Sequence, residues 1–218
     1  QPMITYIGNK RKLVETIENV VKRLNPKSCA DAFSGSGVVS RMLLTHCDEI
    51  YVNDLERYCE VISNCFLKNP SWADHDEIIE HIEYMNKCPD KDGFISELYA
   101  PNDSSNINED ERCFYTKENA NRIDGMLEYV NNKVPISIRD YCLAPLIVKA
   151  SIHTNTSGVF KGFHKGGWGG KGGHAQNRIT KKIEVECPVW PDSSKDVKVY
   201  REDACTFLEK IPKVDLIY

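Results

Sequence analysis

Asp31-Ala32-Phe33-Ser34-Gly35-Ser36-Gly37 connects the short run Ser28-Cys29-Ala30 to Val38-Val39-Ser40-Arg41-Met42-Leu43-Leu44, so an acidic strand end passes through two glycines into an apolar helix. This is the local form of a nucleotide-binding turn. Glycine lets the backbone turn sharply and approach a ligand with no Cβ in the way, and the first helical turn presents free N–H groups. Downstream, Ile50-Tyr51-Val52-Asn53 reads as a second strand ending at Asp54, 17 residues after Gly37. In a β-α-β unit an acid at that strand tip is placed to accept hydrogen bonds from ribose hydroxyls. The alternative for Asp54 is an N-cap on the helix that begins near Leu55-Glu56.

The chemistry of the turn selects among ligands. A dinucleotide would lay its pyrophosphate on the helix start and calls for a third glycine, but Ser40 stands there and Asp31 would repel phosphate. A cationic ligand fits better. S-adenosylmethionine carries a sulfonium and an ammonium beside its adenosine, and the lip Asp31, Phe33, Ser34, Gly35 and Gly37 offers a carboxylate, an aromatic wall and close backbone approach. Phe33 has a core position as its alternative. Upstream, Tyr6-Ile-Gly-Asn-Lys10 precedes a helix with Leu13, Ile17, Val20, Val21 and Leu24 at helical spacing, ended by Asn25-Pro26. Lys10 is a candidate contact for a carboxylate or a phosphate.

The 218 residues suffice for one substantial core plus an inserted subdomain. Neither a secretory leader nor an apolar run near about 18 residues is present, which reads as a soluble, cytoplasmic chain with no membrane partner. Nine scattered cysteines with no C-x-x-C pair favour reduced thiols over a disulfide framework or zinc site. His153, His164 and His174 give no compact ligand pair, so no metal is expected. The net charge is −4, yet Lys149 to Ile183 holds seven Lys/Arg and no Asp/Glu, leaving −11 on the remainder. One strongly basic segment on an acidic chain points to a polyanion partner. Within it Phe163 and Trp168 are interleaved with Lys161, Lys165 and Lys171 among eight glycines between residues 158 and 173, and Arg178 follows. Such a loop can fold onto nucleic acid while an aromatic fills a gap or stacks on a base; a flexible, solvated linker is its alternative.

Along the chain, residues 3–68 read as helix, strand, helix, strand, helix, which suits an α/β parallel sheet. From Asn69 the pattern turns to acidic helical stretches, Asp76 to Tyr84, Asp92 to Tyr99, Glu109 to Val130 and Ser137 to Ser151. Residues 152–182 are glycine-rich and basic, and Lys182 to Cys187 and Val197 to Tyr200 are expected strands. The α/β pattern resumes after about residue 195. The domain reading is a cofactor-binding unit of 1–68 with 193–218, interrupted by an inserted unit of 69–192.

Taken together these residues resemble the Dam-like adenine-specific DNA methyltransferases. The matching segments are Tyr6-Ile-Gly-Asn-Lys10, Asp31 to Gly37, Val52-Asn53-Asp54, the insertion, and Val214-Asp-Leu-Ile-Tyr218. The resemblance implies a Rossmann-like, adenosylmethionine-dependent methyltransferase sheet with an inserted, largely helical target-recognition domain. It implies methyl transfer from adenosylmethionine to the amino group of adenine in double-stranded DNA, with the base flipped out of the stack. It makes Asp203, after the strand Val197 to Arg201, the acid that meets the cofactor's adenine amino group, with a helix N-cap as its alternative. It also places Asn155 to Phe163 at the family's Asn/Phe/Gly-rich DNA-contacting segment. The DNA contacts expected are therefore Asn155, Lys161, Phe163, Lys165, Trp168, Lys171 and Arg178.

The family continues from its equivalent of Asp215-Leu-Ile-Tyr218 into Asp-Pro-Pro-Tyr, which lowers the barrier for a poorly nucleophilic exocyclic amine. That motif does not occur in these 218 residues and is expected just after Tyr218. Three readings stay open: a truncated chain, a segment lost to disorder, or half of a split enzyme. The last would be a non-catalytic or split subunit of a restriction-modification system, completed by a second methyltransferase half. Otherwise the partners implied are double-stranded DNA and a restriction endonuclease.

Overall fold

The computed structural model describes residues 10–156, 162–173, 175–192 and 194–218. These divide into two compact units, residues 10–75 with 188–218, and residues 76–187.

The first unit is built on a four-stranded, wholly parallel sheet, β1 (Ser28–Asp31), β2 (Glu49–Asn53), β3 (Asp196–Tyr200) and β4 (Leu216–Ile217), in the order β3-β2-β1-β4. Parallel neighbours need crossovers, and helices α1 (Lys10–Leu24), α2 (Val38–His46), α3 (Arg57–Phe66) and a later short helix (Ala204–Lys210) belong to the same unit. Strand alternation sorts the core into two layers. Cys29, Ile50, Val52, Val197, Val199 and Leu216 join Val21, Leu43 and Leu44 of the helices in one cluster, and Ala30, Tyr51 and Tyr200 join Phe207 in the other. Helix α1 buries Val14, Ile17 and Val21, while Leu13, Val20 and Leu24 lie largely exposed. Its inward stripe is therefore turned from the one expected, and Asn25, at φ 45°, ends it with N–H bonded to Val21 O.

Register is fixed at both ends of β1. Asp215 accepts hydrogen bonds from Lys27 N at 2.8 Å and Ser28 N at 3.1 Å, and Tyr218 continues the pairing, its N–H on Ala30 O and its carbonyl accepting from Ala32 N. Near the second unit's limits, His75 stacks on Trp190 at 4.6 Å and Asn69 donates to Pro191 O, so residues 69–75 and 190–191 pack with the sheet unit.

The second unit is helical: α4 (His75–Met85, all but its first residue), α5 (Phe94–Tyr99), α6 (Lys117–Lys133), α7 (Arg139–Ile152) and α8 (Gln176–Thr180), with α9 being the Ala204–Lys210 helix of the sheet unit. Residues 109–116, expected as helix, are turns and irregular chain, and α6 starts at Lys117, where Thr116 caps the Asn119 N–H. Gly125 is required on α6 because a Cβ there would lie 2.3 Å from Pro89 O.

Lys182 to Cys187 carries the expected alternation, with Ile183 and Val185 buried and Glu184 and Glu186 exposed, but it pairs with no strand among the described residues. Side chains replace the ladder. Asn119 accepts from Ile183 N and donates to Lys181 O, Arg122 Nε donates to Ile183 O at 2.8 Å, and Asn86 both accepts from Val185 N and donates to Val185 O. Period-2 burial needs only an extended chain over a core, so it cannot distinguish a strand from this strap. Among the described residues no helix is long and apolar enough to cross a membrane.

Candidate functional site

Loops after β1, β2 and β3 meet at the carboxyl end of the sheet, where parallel α/β folds bind ligands. The glycine turn is held from within. Gly35 and Gly37 take φ 52° and 79°, Gly37 N bonds to Ser34 O, and Ser34 N bonds to Asn53 O at 2.8 Å. Asp54 Oδ2 accepts from Gly35 N at 2.9 Å and Oδ1 from Glu56 N at 3.1 Å. The acid thus ties the turn to the start of α3 and, being partly exposed, keeps carboxylate lone pairs for further donors.

Asp31 sits differently. It is 1% exposed, its Oδ2 accepting from Ser40 Oγ at 2.6 Å and its Oδ1 from Phe33 N at 3.2 Å. Burial pushes its carboxyl up to about 6 against the lowering effect of those two bonds, with the nearby Asp54 charge adding to the rise. Ser40, where a dinucleotide turn would have glycine, is therefore the internal partner of the acid. The folded state takes up this proton as pH falls from about 6 toward the ordinary carboxylate range near 4. The stability it contributes is fully present at the acid end and lost as pH rises through about 6. Asp31→Asn removes the buried charge, keeps an acceptor for Phe33 N, and holds Ser40 Oγ only by turning that hydroxyl from donor to acceptor of the amide N–H. It is expected to raise stability at pH 7.5 by up to roughly 2–3 kcal/mol and to leave it unchanged at pH 4, measured by urea unfolding across that range.

Phe33 is 74% exposed and Leu55, beside Asp54, is also largely exposed, so the lip presents apolar surface with no core role among the described residues. Asp203 is the N-cap of α9, Oδ1 accepting from Cys205 N and Thr206 N at 3.1 Å and Oδ2 from Thr206 Oγ1. These bonds hold its carboxyl below the usual range. Asn53 went unnoticed in the sequence and is central. Almost fully buried, it donates to Ala32 O and Glu202 O and accepts from Glu202 N, clamping the loops after β1 and β3 to β2. Nothing in Val52-Asn53-Asp54 distinguishes a clamp from an ordinary strand end. Lys10 opens α1, and Tyr6 and Lys161 lie outside the described residues.

In the second unit the expected DNA contacts separate into two groups. Asn155 is fully buried, donating to Cys113 O at 2.8 Å and His164 O at 3.3 Å and accepting from Gly169 N at 3.0 Å. Arg178 donates to the carbonyls of Ile152, the last residue of α7, and of Thr154 and Thr156 beyond it, a C-terminal cap. Both are thus engaged with backbone groups of their own unit, Asn155 fully buried and Arg178 half-buried. Phe163 packs edge-on to Phe114 with ring centroids 5.1 Å apart, and Trp168 Nε1 donates to Ser104 O at 3.1 Å. Lys165 and Lys171 are exposed. Among the described residues no three His, Cys, Asp or Glu side chains converge to hold a metal ion, and buried His153 hydrogen-bonds Arg178 O.

A strand-turn-helix with Gly35 and Gly37, Asp54 at the tip of the next strand and an inserted helical unit form one pattern, and the family model of the D12 class N6 adenine-specific DNA methyltransferase matches residues 6–218. The chain belongs to this family. It is 25% identical over 99% of its length to the type II methyltransferase M.NlaIII of Neisseria lactamica, covering 63% of that protein. It is 29% identical over 94% of its length to the modification methylase LlaI of Lactococcus lactis subsp. lactis and 25% over 94% to M.FokI of Planomicrobium okeanokoites, covering 33% and 32% of them. The chain thus spans less than two-thirds of the first of these relatives and about a third of the others. No solved structure matches it. Family membership implies a methyl donor.

Proposed function

We propose that the protein carrying this chain methylates the N6 amino group of adenine in double-stranded DNA, with S-adenosylmethionine as the donor. The observation that carries the donor assignment is the Asp54 carboxylate bonded to Gly35 N at the mouth of the glycine turn. That geometry leaves an acceptor for ribose hydroxyls beside a backbone with no Cβ. Exposed Phe33 and Leu55 supply apolar walls for adenine, and Asp203, through its remaining Oδ2 lone pair, meets the adenine amino group. Asp31 acts behind the turn: its charge is buried one layer below the lip and favours a cationic ligand over phosphate. Tyr6 and Lys10 complete the site in this reading.

When bound, adenosylmethionine supplies an electrophilic methyl on a sulfonium. The chain's own residues hold the donor and orient it, and the exocyclic amine requires acceptors of the Asp-Pro-Pro-Tyr kind. The unit of residues 76–187 recognises DNA, a base being extruded at a cost of a few kcal/mol. The relatives' names as modification methylases favour a restriction-modification setting, with a cognate endonuclease as the functional partner and the cytoplasm as the place of action.

Methyl transfer is tested by expressing the protein and measuring N6-methyladenine in its plasmid DNA by mass spectrometry. No methylated adenine above the empty-vector background refutes the reading. The exposed Lys171 is assigned to a DNA phosphate. Lys171→Ala is expected to weaken binding equally across DNA sequences and to make the log K against log[salt] slope shallower by about 0.9. An unchanged slope in fluorescence anisotropy titrations removes Lys171 from the interface.

A further inference from the structure

Within residues 76–187 a cleft of about 710 Å³ opens between two loops. Residues 104–111 form one rim, with Glu109 and Asp110 exposed on it, and residues 163–168 form the other, with Lys165 exposed. Glu111 is already engaged, accepting from Asn102 N and Asn108 N at 2.9 Å, and so shapes the acidic loop. Among the described residues Glu109, Asp110 and Lys165 form no ion pair, so the lining of the cleft carries exposed charges of both signs. Both rims are braced. Asn155 ties Cys113 O on one side to His164 O and Gly169 N on the other, and the Trp168 indole reaches across to Ser104 O. A ligand therefore meets preset donors and acceptors, the condition under which polar contacts discriminate.

The acidic rim limits how DNA can lie here. Carboxylates repel phosphates, so any DNA contact that Glu109 and Asp110 make is to base edges rather than to the backbone. In the major groove the base donors are cytosine N4 and adenine N6. A lysine pairs best with guanine O6 and N7, and a carboxylate with cytosine N4. One G·C pair presents both partners side by side, whereas adenine's adjacent donor and acceptor suit a carboxamide. We infer that Lys165 and the Glu109–Asp110 rim read one G·C pair of the recognition sequence, Lys165 on guanine and the acids on the cytosine amine. This rests on the proposed DNA recognition and assigns specificity to residues that the sequence left among general contacts or did not single out.

The test is selection of duplexes from a randomised pool by the full chain and by three variants, Lys165→Ala, the double variant Glu109→Gln/Asp110→Asn, and Lys171→Ala as the phosphate control. The wild type is expected to enrich a motif containing a G·C pair. Lys165→Ala and the double variant are expected to lose preference at that same pair by about ten- to a hundredfold, while Lys171→Ala keeps the motif. Replacing that guanine with 7-deazaguanine, which lacks the N7 acceptor, should weaken the wild type and leave Lys165→Ala unaffected. An unchanged motif in both rim variants overturns the assignment, as does a Lys165→Ala that merely flattens the salt slope. DNA binding by the wild type with no motif overturns it too. A wild-type chain that binds no DNA refutes the recognition role itself, and this assignment with it.

Discussion

Asp54→Ala is expected to weaken adenosylmethionine binding by about a hundredfold or more, measured by isothermal titration. Two losses combine. Charge-assisted hydrogen bonds to ribose hydroxyls contribute roughly 1.5–3 kcal/mol, or about ten- to a hundredfold in affinity. The second loss lies in the protein: Gly35 N, at 2.9 Å from Oδ2, and Glu56 N lose their acceptor, and the left-handed turn is no longer held in the shape the ligand meets. Asp54→Asn separates the two. Its single carbonyl oxygen can retain one of the two N–H bonds and removes the charge, so its affinity should fall between wild type and alanine. Affinity unchanged in both variants removes Asp54 from the donor site.

The second large effect is expected in the other unit. Asn155→Ala leaves the buried Cys113 O and the half-buried His164 O and Gly169 N without their side-chain partner. At about 1–3 kcal/mol for the buried orphan and less for the two half-buried groups, the cost is on the order of 3–5 kcal/mol, a large part of a typical total near 5–15 kcal/mol. Asn155→Asp is no remedy, since a carboxylate supplies no donor and would set a buried negative charge against two carbonyl oxygens. Urea unfolding is expected to show both variants strongly destabilised. A loss below about 1 kcal/mol would mean that water replaces the carboxamide and that the two rims are not joined through it.

The parallel sheet was legible because its signals are local and mutually consistent: a β-α-β unit with glycines at a turn, an acid at the second strand tip, and apolar runs of strand length. The family followed from several such segments in order. The parts that escaped depend on tertiary geometry. Asn53 reads as a strand residue until Glu202, far along the chain, is seen on its carboxamide. Lys182 to Cys187 has strand periodicity, yet its hydrogen-bond partners are Asn86, Asn119 and Arg122 on helices or their ends. Asn155 was expected at a DNA surface from the family resemblance, and Arg178 from the basic, glycine-rich segment. They face inward because irregular chain carries many backbone groups that need partners. Glu109 and Asp110 carried no signal of their own, and only the loop folded opposite them gives the acids a meaning.

The side-chain-bonded strap at residues 181–185 also bears on the order in which this unit assembles. A strand can dock on a neighbour in several registers and then slide, because every backbone position offers the same pair of groups. Here Ile183 N has one acceptor, Asn119 Oδ1, and Val185 N has another, Asn86 Oδ1. Those two carboxamides take their positions only once α6 and the end of α4 are packed. The strap is therefore expected to dock late and in a single alignment, and inserting one residue between Ile183 and Val185 would keep both bonds from forming together. With these donors filled, the segment also offers less of an unpaired edge for another chain to join.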